Sequence, residues 1–370
     1  MKSLNEEELK YQIAITLLDG VGAIGAKKLI AYCGGAEAVF KEKKTALLKI
    51  PNIGKKAADT ISKSNVFAEA EEEIKFIRKN GIDAHFFLSK SYPQRLLHCE
   101  DGPIVLYTKG NMNLNAQKVI SIVGTRKATV KGKAFTEKLV EELYEHKPVI
   151  LSGLAYGIDI CAHKAALKNN LQTIGVLACG LDEIYPKAHF SASEKMLQNG
   201  GLISDYKSGT KLFPTQFAER NRIVAGMADA IVVIESSEKG GSLITADLGN
   251  GYNRDVFAVP GRPDDSQSVG CNRLIKQNKA ALIESAKDIE YIMGWEKSSS
   301  TPKNNQASLF VDLSEEEQIV FDELKNGEAK AFDDISLNAK MPVSKTASTL
   351  LSLEFKGVIR SLPGKLYERI

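Results

Sequence analysis

The chain has 370 residues, with 49 Lys+Arg against 46 Asp+Glu and a formal net charge of +3. That length predicts two or three domains, and 43% hydrophobic residues suffice for sizeable cores. The near-neutral balance excludes a protein that grips polyanions by bulk charge, so a nucleic-acid site would have to gather its cations locally. The same numbers exclude disorder over most of the chain.

Cys33, Cys99, Cys161, Cys179 and Cys271 are scattered, with no C-x-x-C pair. This argues against a disulfide framework or a structural zinc site and fits a reducing compartment. The start, MKSLNEEELKYQ, is acidic and lacks an apolar core, so no signal peptide is expected. No apolar run approaches the ~20 residues that span a bilayer. A soluble, cytoplasmic protein without a membrane partner is expected.

Residues 1–77 carry apolar positions at spacings of three and four, which predicts a helical module. Two similar pieces lie in it, LDGVGAIGAKKLI (Leu18–Ile30) and IPNIGKKAADTI (Ile50–Ile61). Each puts a glycine turn before a helix with open N–H groups and two lysines, Lys27 and Lys28 or Lys55 and Lys56. This resembles a helix-hairpin-helix (SAM-like) module, whose turn offers N–H groups to a DNA phosphate. The second copy departs from the motif at Asn52. An αα-hairpin with ordinary solvated lysines fits equally well.

Residues 78–294 alternate short β-rich runs with helical segments. The runs are Val119–Val123, Val149–Leu151, Thr173–Leu177, Leu202–Ser204, Ala230–Ile234 and Val256–Val259. Few charges and a helix between runs predict an α/β fold with a doubly wound, Rossmann-like parallel sheet. A polar stretch at 295–312 reads as a linker. Residues 313–370 read as a winged helix: a capping box at Ser314 and Glu317, three helices, and a hairpin around Pro363–Gly364. Its Lys340, Lys345, Lys356, Arg360 and Lys365 suit phosphate contacts, whereas the acidic residues of 315–334 suit protein docking; both readings stand.

Ligand groups in an open α/β sheet belong after the strands. Gly124-Thr125-Arg126 and Thr129 follow the first run, where a helix start offers N–H groups and Arg126 a forked cation. Ser152-Gly153 and Asp159 follow the second; Asp159 and His163 share a helix face and suit structural roles better than a dyad. Cys179 and then Lys187 follow the third, with Cys179 read as a buried apolar residue. Phe217, Arg220, Asn221 and Arg222 head a helix, with Lys211 and Phe213 just ahead. Of the two arginines, one is expected to reach a ligand and the other to pair with Glu219 or Asp229. Gly240-Gly241-Ser242 opens the last helix, with Ser242 as N-cap or anion donor. Neither G-x-G-x-x-G nor G-x-x-x-x-G-K-[ST] occurs, and no nucleophile–base pair or metal set is evident. The pattern suits holding phosphate rather than breaking bonds.

The ordered segments GTRKAT, SGLAYGID, YPK, RNRIVAG, GGSLITA and FAVPG, with Tyr92–Gly110 upstream and Ser268–Ile275 downstream, resemble the DNA-processing protein A (DprA/Smf) family. The resemblance covers about 85–290. It implies an extended Rossmann domain between a helical N-terminal module and a winged helix. It also implies a non-enzymatic homodimer without cofactor that binds and protects single-stranded DNA and loads RecA recombinase in natural transformation. For the outer modules, duplex DNA and protein both stand open as partners. The resemblance implies a strand pocket using Arg126, with Lys211 and Phe217 ahead of the RNR helix and Lys187 at the YP-K position. Together with the strand-end reading, the expected nucleic-acid-binding positions are Gly124, Thr125, Arg126, Thr129, Ser152, Gly153, Lys187, Lys211, Phe217, Arg220, Asn221, Arg222, Gly240, Gly241 and Ser242. Departures fall at Gly240–Ser242 and at Asn250-Gly251, the latter expected to loosen a helix.

Two alternatives carry weight. One is a lysine-decarboxylase-like nucleotide phosphoribohydrolase, whose loop P-G-G-x-G-T-x-x-E compares with KGGSLITAD here (Lys239–Asp247). The other is an adaptor with a vestigial nucleotide fold.

Overall fold

The computed structural model describes residues 6–295, 313–324, 329–362 and 366–369. The chain divides into two compact units, Met1–Ser298 and Ser299–Ile370. From 296 onward the expected linker lies outside the described residues.

The first unit is organised by a sheet of β1 (Asp83–Phe86), β2 (Val105–Asn111), β3 (Val119–Val123), β4 (Val149–Ser152), β5 (Thr173–Val176), β6 (Gly200–Ser204), β7 (Ala230–Val233), β8 (Asp255–Ala258) and β9 (Ala281–Leu282). The spatial order is β1-β2-β6-β5-β4-β3-β7-β8-β9. From β6 to β9 every pairing is parallel. β1 and β2 add an antiparallel edge, which extends the doubly wound sheet expected from the alternating pattern. Register is set on β3, where Ile120 faces Ile150 on one side and Ala230 on the other. Val119 and Val123 enter one core layer, Ile120 and Ile122 the opposite one. Burial on both faces explains why this strand reads as a nearly unbroken apolar run. The strand order reverses at β3, between β4 and β7, which places a crevice at the carboxyl ends of these strands.

The N-terminal helices share a core with the antiparallel edge: Leu29, Ile61 and Ile74 cluster with Ile104, Val105 and Tyr107. The two glycine turns are geometrically parallel. Gly20 (φ +75°) and Asn52 (φ +66°) both adopt the left-handed conformation, which asparagine tolerates better than most side-chain-bearing residues. Gly22 and Gly54 then begin the helices Ala23–Cys33 and Lys55–Lys63. Their lysines diverge. Lys27 turns inward, its Nζ donating to the carbonyls of Cys99 and Glu100 at 3.0 Å each, and burial lowers its pKa. Lys27 is therefore not the solvated or phosphate-facing lysine that the motif suggested. Lys55 and Lys56 stay exposed.

The second unit has helices Glu315–Glu323, Phe332–Asn338 and Val343–Phe355. They pack beside β10 (Lys330–Ala331), β11 (Ile359–Leu362) and β12 (Leu366–Arg369), in the order β10-β12-β11. Val320, Leu324, Ile335, Leu350, Leu353 and Ile359 form its core. The capping box is present: the Glu317 N–H donates to Ser314 Oγ at 3.3 Å, and the Ser314 N–H donates to the Glu317 carboxylate at 2.7 Å. Gly357 (φ +70°) follows the third helix. The hairpin tip at 363–365, with Lys365, lies outside the described residues.

Candidate functional site

A cleft of about 580 Å³ opens at the sheet's reversal point. Ten of the expected positions wall it: Gly124, Thr125, Arg126, Gly153, Phe217, Arg220, Asn221, Gly240, Gly241 and Ser242. They come from the loops after β3, β4 and β7, from the Pro214–Gly226 helix and from the start of the Gly241–Gly251 helix. Parallel pairing brings together segments far apart in the chain.

Arg126 is exposed. Its guanidinium carbon stands 4.9 Å from the Phe217 ring centroid, and no carboxylate pairs with it among the described residues. Beside it a smaller cavity, about 90 Å³, is walled by Arg126, Tyr156, Tyr185, Pro186, Leu212 and Phe217 among others. Tyr185 lies 5.6 Å from Phe217, centroid to centroid, and Tyr156 packs edge-on to His189 at 4.9 Å. Tyr156 and Tyr185 are both about half exposed. Cation over aromatic, with further rings within reach, suits a phosphate together with its base. Tyr156 and Tyr185 lie outside the expected set, which consists mainly of the cations, glycines and hydroxyls after the strands. Their place inside SGLAYGID and YPK was the available signal.

Arg220 forms the floor. It is 4% exposed, and its guanidinium donates to the carbonyls of Gly153 and Val176. Its Nε–H is buried without a partner. The close fit needs glycine at 153, where an added Cβ would lie 2.5 Å from the Arg220 guanidinium nitrogens. Burial lowers the Arg220 pKa, yet a guanidinium stays protonated at neutral pH. A buried cation held mainly by neutral carbonyls favours an anion nearby. The buried carboxyl of Asp159 is close enough to interact electrostatically with it. Asp159 accepts from the N–H groups of Gly153 (3.1 Å) and Ala155 (3.4 Å), which orients the loop. Burial raises its pKa, and Arg220 opposes that rise.

The helix N-termini differ. The Val130–Glu142 helix was expected to offer a free, positive end, but Glu235 fills it. That carboxylate accepts from the Thr129 N–H (2.9 Å) and hydroxyl (2.5 Å), while Thr129 Oγ1 accepts from the Gly132 N–H at 3.0 Å. The Gly241–Gly251 helix begins at Gly240 without a side-chain cap and fronts the cleft. Its N–H groups are those open to an anion.

Several expected positions serve the fold. Thr129 is the helix cap just described. Ser152 is fully buried and donates to the Ile122 carbonyl at 2.6 Å. Ser242 is not the N-cap; its hydroxyl donates to Ser236 Oγ at 2.9 Å. Arg222 pairs with Asp205 and donates to the Asp101 carbonyl, in a separate crevice lined by Asp101, Asp205 and Glu219. Neither expected partner of the arginines takes that role: Glu219 accepts from the Tyr206 hydroxyl at 2.9 Å, and Asp229 holds Arg95 at 2.6 Å. Lys187 and Lys211 are exposed but do not wall the cleft. Asn250 and Gly251 fall at the helix C-terminus, so they leave its interior intact.

The titratable groups nearby are poorly placed for chemistry. Burial lifts the Cys179 thiol to about 11, and a thiol is a weak nucleophile compared with its thiolate. Burial lowers His163 to about 3; its Nδ1 meets the Thr173 hydroxyl at 2.7 Å. No cluster of metal-ligating side chains occurs among the described residues. Nor is any helix among them long and apolar enough to cross a membrane.

Fold and cleft define a Rossmann-like α/β protein with its ligand crevice at the switch point. The chain belongs to the DNA recombination-mediator protein A (DprA/Smf) family, whose model matches residues 84–293; a DprA winged helix domain matches residues 305–365. The Smf protein of Synechocystis is 29% identical, covering 98% of this chain and 99% of that one. DprA of Bacillus subtilis is 40% identical over 57% of this chain and 71% of its own. The crystal structure of DprA from Streptococcus pneumoniae superposes with a TM-score of 0.63 at 32% identity, covering 79% of this chain and 98% of that one. DprA from Helicobacter pylori, described for its single-stranded DNA binding mode, gives a TM-score of 0.52 at 29% identity, over 57% and 95%. None of these relatives is named for an enzymatic reaction.

Proposed function

We propose that this protein binds single-stranded DNA in the cleft, protects it, and passes it to the RecA recombinase, acting as a homodimer in recombination such as natural transformation. The observation that carries the reading is Arg126, an exposed guanidinium over the Phe217 ring with no carboxylate paired to it among the described residues. Arg220 beneath and the uncapped helix start at Gly240–Gly241 supply further positive potential for a phosphate. Stacking on rings tolerates any base. The single-stranded DNA binding described for the Helicobacter pylori relative supports the ligand, and the family's recombination-mediator description supports hand-over to a recombinase.

In the winged helix, Lys345 pairs with Glu316, Lys356 with Glu317, and Arg360 with Glu368. This favours protein docking over duplex DNA for that unit. The test is anisotropy of labelled oligo-dT with the full chain. Binding that weakens steeply with salt, and is largely lost in Arg126→Glu, is expected. Equal affinity for that variant, or base released from a nucleoside monophosphate, would overturn the reading.

A further inference from the structure

We infer that Glu73, on the N-terminal helical module, is a positioning residue for the cleft: it latches the segment that orients the Phe217 helix, so this module tunes strand affinity without touching DNA. The inference rests on the proposed function for its binding consequence. The Phe67–Lys79 helix buries Ala70, Glu73, Ile74 and Ile77 along one face. A carboxylate on that face is unexpected, because burying one costs free energy unless hydrogen bonds replace its water.

The replacement comes from residue 208. The Ser208 N–H lies 3.1 and 3.0 Å from the two Glu73 carboxylate oxygens, and the Ser208 hydroxyl donates to one of them. One turn earlier, Glu69 pairs with Lys207 at 2.7 Å. Two successive turns of one helix thus grip two successive residues of the 205–213 segment.

That segment joins β6 to the Pro214–Gly226 helix, and it is braced at other points as well. The Gly209 N–H donates to Asp182 at 3.0 Å, and the Thr210 hydroxyl to the Lys207 carbonyl at 2.7 Å. At its far end Leu212 walls the aromatic cavity. The Phe213 N–H donates to Gln216 at 2.6 Å, at the start of the helix that carries Phe217 and Arg220. Releasing 207–208 frees the approach to this helix while leaving Arg126, on the loop after β3, in place.

The experiment uses the full chain with labelled oligo-dT and, separately, amide hydrogen exchange without DNA. Glu73→Ala should weaken oligo-dT binding about tenfold and speed exchange across 207–213. Its salt dependence should match the wild type, because the Arg126 phosphate contact is untouched. Glu73→Gln should restore most of the affinity, since its amide oxygen still accepts the Ser208 N–H. In a Phe217→Ala background, Glu73→Ala should cost little more, because the latch acts through that ring. Where Glu73→Ala fails to fold, Ser208→Ala provides the same readings at smaller amplitude, because it removes the hydroxyl bond to Glu73 and keeps the backbone one. Wild-type exchange in the variant, wild-type affinity, or full additivity with Phe217→Ala would overturn the latch. Absence of oligo-dT binding by the wild type would overturn the proposed function, while exchange would still decide the latch.

Discussion

The Arg126 guanidinium lies 4.9 Å from the centroid of the Phe217 ring, and the pair bridges the loop after β3 and the Pro214–Gly226 helix. A planar cation on a ring face keeps its N–H edge free for a phosphate, and the half-buried ring beside it offers a stacking surface to a base. Phe217→Ala should weaken oligo-dT binding by about 1–3 kcal/mol. Arg126→Lys should fall between wild type and Arg126→Glu, because it keeps the charge and loses the planar fork. Anisotropy titrations at fixed salt measure both; a lysine variant equal to wild type would show that charge alone matters.

Tyr185, 5.6 Å from Phe217, extends the aromatic surface. Wild-type protein should prefer oligo-dT to an abasic backbone of equal length. Tyr185→Ala should reduce that preference and Tyr185→Phe retain it. Loss of affinity for both ligands alike in Tyr185→Ala would instead mark a scaffold role.

Gly153 has no room for a methyl group, since a Cβ would sit 2.5 Å from the Arg220 guanidinium nitrogens. Overpacking of this kind costs about 1–3 kcal/mol. Gly153→Ala should lower the unfolding free energy by that amount in urea and weaken oligo-dT binding together with it. An unchanged midpoint would mean that Arg220 moves aside freely.

His163 gives the first unit an acid-sensitive element. Burial lowers its pKa from 6.5 to about 3, so between those values the unfolded chain holds a proton that the native imidazole lacks. Stability from this group is present above about 6.5 and falls as the pH drops towards 3, by about 1.4 kcal/mol per pH unit. Wild type should therefore lose about 2 kcal/mol more than His163→Phe between pH 7 and pH 5 in urea unfolding. Equal losses would show that His163 does not titrate in this range.

Much of this architecture is legible in the linear chain. Apolar runs such as Val119–Val123 separated by helical spacing, with glycine, hydroxyl or basic residues after several of them, specify a parallel sheet and a crevice at its strand ends. Periodicity and turn chemistry are local properties, carried by neighbouring residues. The antiparallel edge was less visible, because β1 (DAHF) and the end of β2 (TKGN) mix polar residues into the strand.

Which polar groups stay free is another matter. Arg222 is spent on Asp205, Lys27 on the carbonyls of Cys99 and Glu100, Thr129 on Glu235 and Ser152 on Ile122, whereas Arg126 is left exposed over Phe217. Most of these partners are remote in sequence, so each side chain looks equally available until packing brings its partner within hydrogen-bonding reach. An arginine's chemistry is written in the chain, but its availability depends on which acceptors the folded core sets beside it.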